Sequence, residues 1–540
     1  MNTFKKKSLY TAVLAGLGAL GAAGTTEAVH VNPDGTGQVL LYPYYTVRNA
    51  PGGTAYNSLL SVVNTQNNAK IVKVRFIEGK ASREVLDFNL FLSPNDVWTG
   101  AILPTADGAR IATNDNSCVA PNDLFTRAPG VLEAFKNFDY TTAPYSLAGV
   151  SLDRTREGYV EIIEMAVVTR ASVVGYITHN SAGIPGNCAA LDPLDAFTGN
   201  TNPDQFPNTI GGAVVANSIT NPPSGGLAGR MSIINPASGT NFSYDATALG
   251  QWTSTNQYQN SGNSAPNLGS LTAVDRFSNV FVNGGVVSST WNNSRDAVSA
   301  ALMRDAVINE FILDTATASS TDWVVTFPTK NLYVLTNTIT AAQASGAVAG
   351  APFANGFTAV GSCDPYGVAI FDREERGPTN PAPTILPSPA PPSGVVPGST
   401  LCWEANVLPF QASSLLGSTN TNALVSTFQA FATAANTTAG TRTSVASGTV
   451  QGANGWLYMS FADRTRQYLY PLTATLNGAA LPVALFTTIV APSPNAGLIS
   501  GTHYGLPVIG FAVHNYTRTG VVSNYGGVLN HKFSRLIPTS

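Results

Sequence analysis

Apolar and polar residues alternate with a period of two through most of the first hundred residues that follow the N-terminal leader. Lys70 to Gly79 (KIVKVRFIEG) sets Val72, Val74 and Phe76 on one face and Lys73 and Arg75 on the other. Leu86, Phe88, Leu90 and Leu92 repeat that period, opposed by Asp87 and Asn89. Before them, Gly37 to Val47 (GQVLLYPYYTV) is aromatic and β-branched, and Pro43 within it marks either an edge strand or a bulge. Asn57 to Thr65, and Asp96 to Leu103 with Trp98, complete the set. Strands spaced by about ten residues with turn signals between them predict half of an antiparallel sandwich. The expected fold class is mainly β: an antiparallel β-sandwich, immunoglobulin-like, with one or two short helices and long Pro/Gly/Asn-rich loops.

Further along, Tyr159 to Thr169 and Ala171 to Thr178 read as two more strands. Residues 186–226 read as a long surface loop. Arg230–Asn235 and Asn241–Asp245 flank Pro-Ala-Ser-Gly, a hairpin signal. A helix is expected from Ser294 to Ile312, with Ser294 as N-cap and Val298, Leu302, Val307 and Phe311 along one stripe. Asp322 to Phe327 is a strand. Pro378 to Pro397 carries eight prolines and reads as an extended surface loop. Strand patterns resume at Gly455 and continue to Val528. This divides the chain into a leader (1–28), an N-terminal sandwich region (29–200), a β region with the helix (201–345) and a C-terminal β region with the Pro-rich loop (346–540).

The leader changes the picture. Lys5, Lys6 and Lys7 precede the uncharged run Ser8–Gly24, and Thr26-Glu27-Ala28 supplies small residues at −3 and −1 before Val29. That is the pattern of a cleaved secretory signal, too short and Gly-rich for a membrane span. Gly16-x-Gly18-x-x-Gly21 within it lacks the preceding strand and the acidic partner of a dinucleotide site. Loss of three lysines and one glutamate would move the net charge from −3 to about −5. Charged residues make up only 11% of the chain, so the surface must be polar and largely neutral, with no footprint for nucleic acid. An even set of four cysteines in an exported chain favours two disulfides. Cys118–Cys188 and Cys363–Cys402 is the preferred pairing, since each pair is close in sequence and flanks a loop-rich segment. No second apolar stretch approaches the length of a transmembrane helix.

Candidate chemistry is sparse. No nucleophile elbow, metalloprotease helix, P-loop or EF-hand loop is present. No cofactor or metal is implied, and the cysteine spacing does not suit zinc. His503 and His514 bracket a hairpin-like region, and structural roles suit them best. Glu161 and Glu164 point to opposite faces of a strand. Glu374 and Glu375 read as solvated charges, with a glycosidase carboxylate as the alternative for Glu374. Asn32 to Gly37 reads as a tight turn in preference to a calcium loop. Tyr42 and Tyr44 share one face, with Tyr45 opposite, and are the candidate ligand or partner surface. The Gly37–Val47 strand also suits pairing with a neighbouring molecule's sheet edge, against the simpler alternative of pairing within the chain.

Several phrases together (VHVNP leading into GQVLLYPYYTV, LLSVVNT, VKVRFIEGKASREVLDFNLFLSP, TDWVVTFPTK and GLPVIGFAVHNY with NYGG) resemble a group of uncharacterised, exported cell-surface proteins of Gram-negative bacteria. The resemblance implies export and carries no catalytic residues. The functional expectation is a secreted or surface-associated structural or adhesive protein without catalytic activity, working outside the cell or in the periplasm, with self-association or matrix partners. A glycan-binding module or glycoside hydrolase, and an outer-membrane barrel, are the alternatives.

Overall fold

A computed structural model describes residues 28–125, 132–195, 206, 219–269, 275–282, 284–314, 317–334, 352–353, 356–372, 400–411, 413–421, 454–461, 467–483, 498–517 and 524–539. Residues 1–27 of the leader, Glu374, Glu375 and the Pro378–Pro397 segment lie outside the described residues.

Two antiparallel sheets form the first sandwich. One is eight-stranded. Its order runs His30–Val31, Thr247–Gly250, Val39–Thr46, Glu157–Val168, Ala69–Glu78, Glu84–Leu92 and Val119–Ala120, and Thr220–Asn221 also pairs with the 157–168 strand. The other is six-stranded: Thr240–Asp245, Leu227–Asn235, Asn57–Asn64, Val97–Pro104, Ala109–Ala112 and Leu132–Ala134. Leu40, Val72, Val74 and Phe76 from the first meet Leu60, Val62, Trp98 and Met231 from the second in one core. The period of two explains the six-stranded sheet well. Its Thr240–Asp245 strand alternates strictly between buried and exposed residues. The immunoglobulin-like expectation holds at the level of two packed antiparallel sheets, but the strand number exceeds the seven of a constant-type domain.

A second pair of four-stranded sheets stands beside the first. One joins Ala405–Pro409, Ser320–Thr326, Ile509–Thr517 and Asn524–Asn530, and the other joins Gly367–Asp372, Asn454–Ser460, Ala306–Ile312 and Lys532–Ser534. Trp323, Val325, Leu408, Leu457, Met459 and Ala512 fill the space between them. The opposite face of the Ser320–Thr326 sheet presents Val324, Val407, Phe511 and Val513 to the first core. Tyr244 stacks on Phe511 across that seam at 4.5 Å. Trp98 and Trp323 therefore lie in two cores that share a sheet, whereas Trp456 stays 40% exposed. Every one of these sheets has an open strand order among the described residues.

Several local expectations are corrected. The helix spans Ser294–Leu302, and Asn293, not Ser294, caps it by accepting from the Asp296 N–H at 2.9 Å. Residues beyond it leave the helix because AVINEFI has period-two burial and pairs with strands on both sides. Conversely, Ala171–Ile177 is a helix whose buried residues, Val173 and Ile177, are four apart. Pro43 sits at a bulge. Gly158 faces Tyr45 while Val160 faces Tyr42, so the Val39–Thr46 strand has one extra residue there. The bulge places Tyr42, Tyr44 and Tyr45 in one core cluster, which overturns the expected opposition of Tyr45. That strand pairs within the chain with Glu157–Val168 on one side and, over Val39–Leu41, with Thr247–Gly250 on the other, and every residue of it is buried.

Both disulfides form as expected, Cys118–Cys188 and Cys363–Cys402, closing loops of 70 and 39 residues. In the chain-entropy account each contributes about 4 kcal/mol. No helix among the described residues is long and apolar enough to cross a membrane.

Candidate functional site

The second face of the eight-stranded sheet holds a buried charge cluster. Alternation sends Lys73 and Arg75 away from the first core, as their spacing predicts, but they do not reach open solvent. Residues 252–268 lie over them. Lys73 Nζ donates to the carbonyls of Asn263 at 2.9 Å and Asn260 at 3.3 Å, and pairs with Asp87 at 3.0 Å. Asn89 donates to Asp195 at 2.8 Å and to the Gln259 carbonyl at 2.9 Å. Arg75 bridges two carboxylates, pairing through Nε with Glu84 at 2.8 Å and through Nη1 with Glu161. Every residue of both central strands, Ala69–Glu78 and Glu157–Val168, is buried.

A cavity of about 650 Å³ opens onto this cluster, lined by Arg75, Glu84, Asp87 and Glu161 on the sheet and by Ser264 and Asn331 opposite. Asp139, Arg83 and Lys136 also line it, Arg83 pairing with Asp139 at 3.4 Å. Burial, opposed by Arg75 and reinforced by Asp87, pushes the Glu84 carboxyl up to about 7. Burial likewise raises Glu161 against the pull of Arg75, and lowers Lys73 against the pull of Asp87.

This shift gives a stability prediction. Between pH 4.5 and 7 the folded Glu84 holds a proton that the unfolded chain has released, so its contribution to stability falls as pH rises through that window. Glu84→Gln should abolish the effect, gaining about 3 kcal/mol over wild type at pH 8 relative to their difference at pH 4.5. Urea unfolding of both proteins across that range checks it; a difference independent of pH would refute the assignment.

Other charged groups are held in the same way. Glu164 pairs with Lys70 at 2.7 Å and accepts the Gly225 N–H. The three-residue spacing of Glu161 and Glu164 does assign them to different partners, although both are buried, which sequence reasoning missed. Glu157 pairs with Arg48 at 2.9 Å and accepts from the Thr419 N–H at 3.0 Å, linking the first sandwich to the 413–421 segment. Arg154 pairs with Glu78 at 2.8 Å. The only sequence signal for these partners is the regular recurrence of single charges inside otherwise apolar strands.

Tyr42 and Tyr44 are not a ligand surface. Both are fully buried, Tyr42 donating to the Ser61 carbonyl at 2.7 Å and Tyr44 to Glu157 at 2.8 Å. A phenol this deeply buried requires such an acceptor. His503 contacts Ser289 at 3.2 Å and packs edge-on to Trp291, while His514 faces the Glu310 carbonyl at 3.4 Å, so each has its own structural setting. Asn32 to Gly37 is a turn: Asn32 donates to the Thr36 carbonyl at 2.7 Å and accepts the Asp34 N–H at 3.1 Å, and Gly35 has a φ of +74°. No group of three or more metal-ligating side chains occurs among the described residues.

A second cleft of about 560 Å³ lies at the seam between the two sandwiches and has a different character. Its lining contains no ionisable side chain other than the phenol of Tyr56, whose hydroxyl is engaged by the Leu415 carbonyl at 3.0 Å. Hydroxyls and amides from five separate segments make up its polar surface.

No protein-family model, curated protein or solved structure matches this chain.

Proposed function

We propose that this chain is a non-catalytic β-protein of the cell exterior, exported by its leader and serving as a structural or adhesive component. The observation that carries this reading is the position of Arg75. It bonds to both Glu84 and Glu161 in the charged cavity, so both acids are engaged by a base of the same chain. The raised carboxyl of Glu84 then follows from burial that Arg75 only partly offsets, and no acid–base task is needed to account for it. Two disulfides and the scarcity of charge fit the oxidising exterior of the cell.

The test is fractionation of cells producing the full chain, with electron microscopy of the purified protein. Retention on the envelope or assembly into larger particles is expected. A freely soluble monomer found only in the medium or cytoplasm would overturn the reading. So would hydrolysis of a glycoside substrate that is abolished in Glu161→Gln.

A further inference from the structure

We infer that the seam cleft is a binding site for an uncharged carbohydrate, an inference that names a ligand class for the adhesive role proposed above and rests on that reading. Three features of the cleft converge on this ligand.

The first is the absence of formal charge. In a chain that buries many ion pairs, the walls of this cleft offer neither a basic group to an anion nor a carboxylate to a cation. Asp322, the nearest acid through the cleft residue Gln411, is fully buried and accepts from Gln411 at 2.7 Å, Ser414 at 2.6 Å and the Leu416 N–H at 3.0 Å. Its carboxylate is consumed behind the wall.

The second is the kind of polar group presented. Thr54 and Asn235 come from the first sandwich, Ser320 and Asn515 from the shared sheet, and Gln411 and Ser413 from the loop between them. Hydroxyls and amides both donate and accept, which matches the vicinal hydroxyls of a sugar. Thr54 and Asn235 are held by each other, and Gln411 by Asp322, the Ser413 carbonyl and the Thr321 N–H. Asn515 is 7% exposed and donates to Thr517 at 3.2 Å, while its Oδ1 has no protein partner. Oδ1 itself has almost no accessible surface, so an entering donor reaches it once the Asn515 amide turns toward the cleft.

The third is shape and position. Ala50, Pro51 and Leu415 add apolar surface to the same lining, which the apolar faces of a pyranose can meet. The volume falls within the range of small-ligand clefts, which favour junctions between packed units. The walls are also preorganised: Asn235 donates to the Thr54 carbonyl at 2.9 Å and Asn524 to the Ser238 carbonyl at 3.0 Å, so the hairpin and the strand end are already joined.

The experiment is isothermal titration of the purified full chain with maltotriose, cellotriose, chitotriose and xylotriose, beside trigalacturonate and a neutral Ser/Asn-rich peptide. At least one neutral trisaccharide should bind, and trigalacturonate should not. Ala237→Trp and Ser413→Trp each add a large ring at an exposed position on the rim, and each should weaken binding at least about tenfold with the thermal unfolding transition unchanged. Failure of every neutral sugar at about 10 mM, preference for the peptide or the uronate, or binding indifferent to both tryptophans would overturn the inference. Envelope retention scored separately keeps the two proposals distinguishable. A retained protein that binds no sugar removes the cleft assignment alone, and an unretained one removes the adhesive reading.

Discussion

Acidification from pH 6.5 to 4 should cost this fold about 3 kcal/mol through His531 and a similar amount through His503. His531 lies beside Trp323, with 4.8 Å between the rings, in the core that joins the four-stranded sheets. The Val324 carbonyl, 2.9 Å from Nε2, can only accept, so the neutral ring carries its proton there and Nδ1 accepts from the Asn309 amide at 3.0 Å. A second proton on Nδ1 would meet that amide's own hydrogens. Burial is the main cause that brings His531 down to about 4, and burial with the nearby Arg535 brings His503 to about 3. The unfolded chain protonates first as pH falls past 6.5, so the full contribution is present above that value and is lost on the way to 4. Urea unfolding of His531→Gln isolates one share. The variant will be less stable at pH 7, but its loss between pH 6.5 and 4 should be smaller than that of wild type by about 3 kcal/mol. An unchanged slope would sink the assignment. Glu84 and Glu404, the latter raised by burial to about 8, act in the opposite sense. For that reason the variant comparison, not the wild-type profile alone, is the decisive measurement.

Arg75→Met should destabilise the protein by about 3–5 kcal/mol at pH 8, because it strands two buried carboxylates at once. The deficit should shrink at pH 5, where both acids can take protons and cease to be charged. Arg75→Met combined with Glu84→Gln and Glu161→Gln should recover most of the loss, since the three groups that bonded one another are then all uncharged. Breaking a buried pair is costly, whereas replacing all its members need not be. Chemical denaturation of the single and triple variants at both pH values tests this. A single variant within about 0.5 kcal/mol of wild type at pH 8 would mean that water reaches the cluster freely and that the buried cluster is misread.

The pattern of the first hundred residues after the leader carried a great deal. Val72, Val74 and Phe76 do line the sandwich core, and the disulfide pairing follows from sequence proximity. The same pattern misled at Lys73 and Arg75. A period of two says that these side chains oppose the core, not whether something else covers them. Residues 252–268, nearly two hundred positions away, provide the cover. Helical spacing misled between Ala306 and Ile312 for a similar reason, since Val307 and Phe311 suit a helix stripe and a strand face alike until the partner strands are known. Tyr45 joins Tyr42 and Tyr44 in the core because of a bulge at Pro43, whose register is visible only in the pairing with Gly158 and Val160, and the burial of all three depends on the second sheet that covers them.

By itself the amino-acid sequence determined the β character, the cysteine pairs and the scarcity of charge. These are local or compositional properties, set by alternation, spacing and residue type. The charged cavity and the neutral seam cleft were decided only by the tertiary structure. Each is assembled from segments hundreds of residues apart, such as Thr54 with Gln411 and Asn515, whose meeting depends on how two sandwiches share one sheet. Long-range packing of that kind leaves no periodic trace in the chain, because any residue fitting its own strand would have satisfied the local pattern equally well.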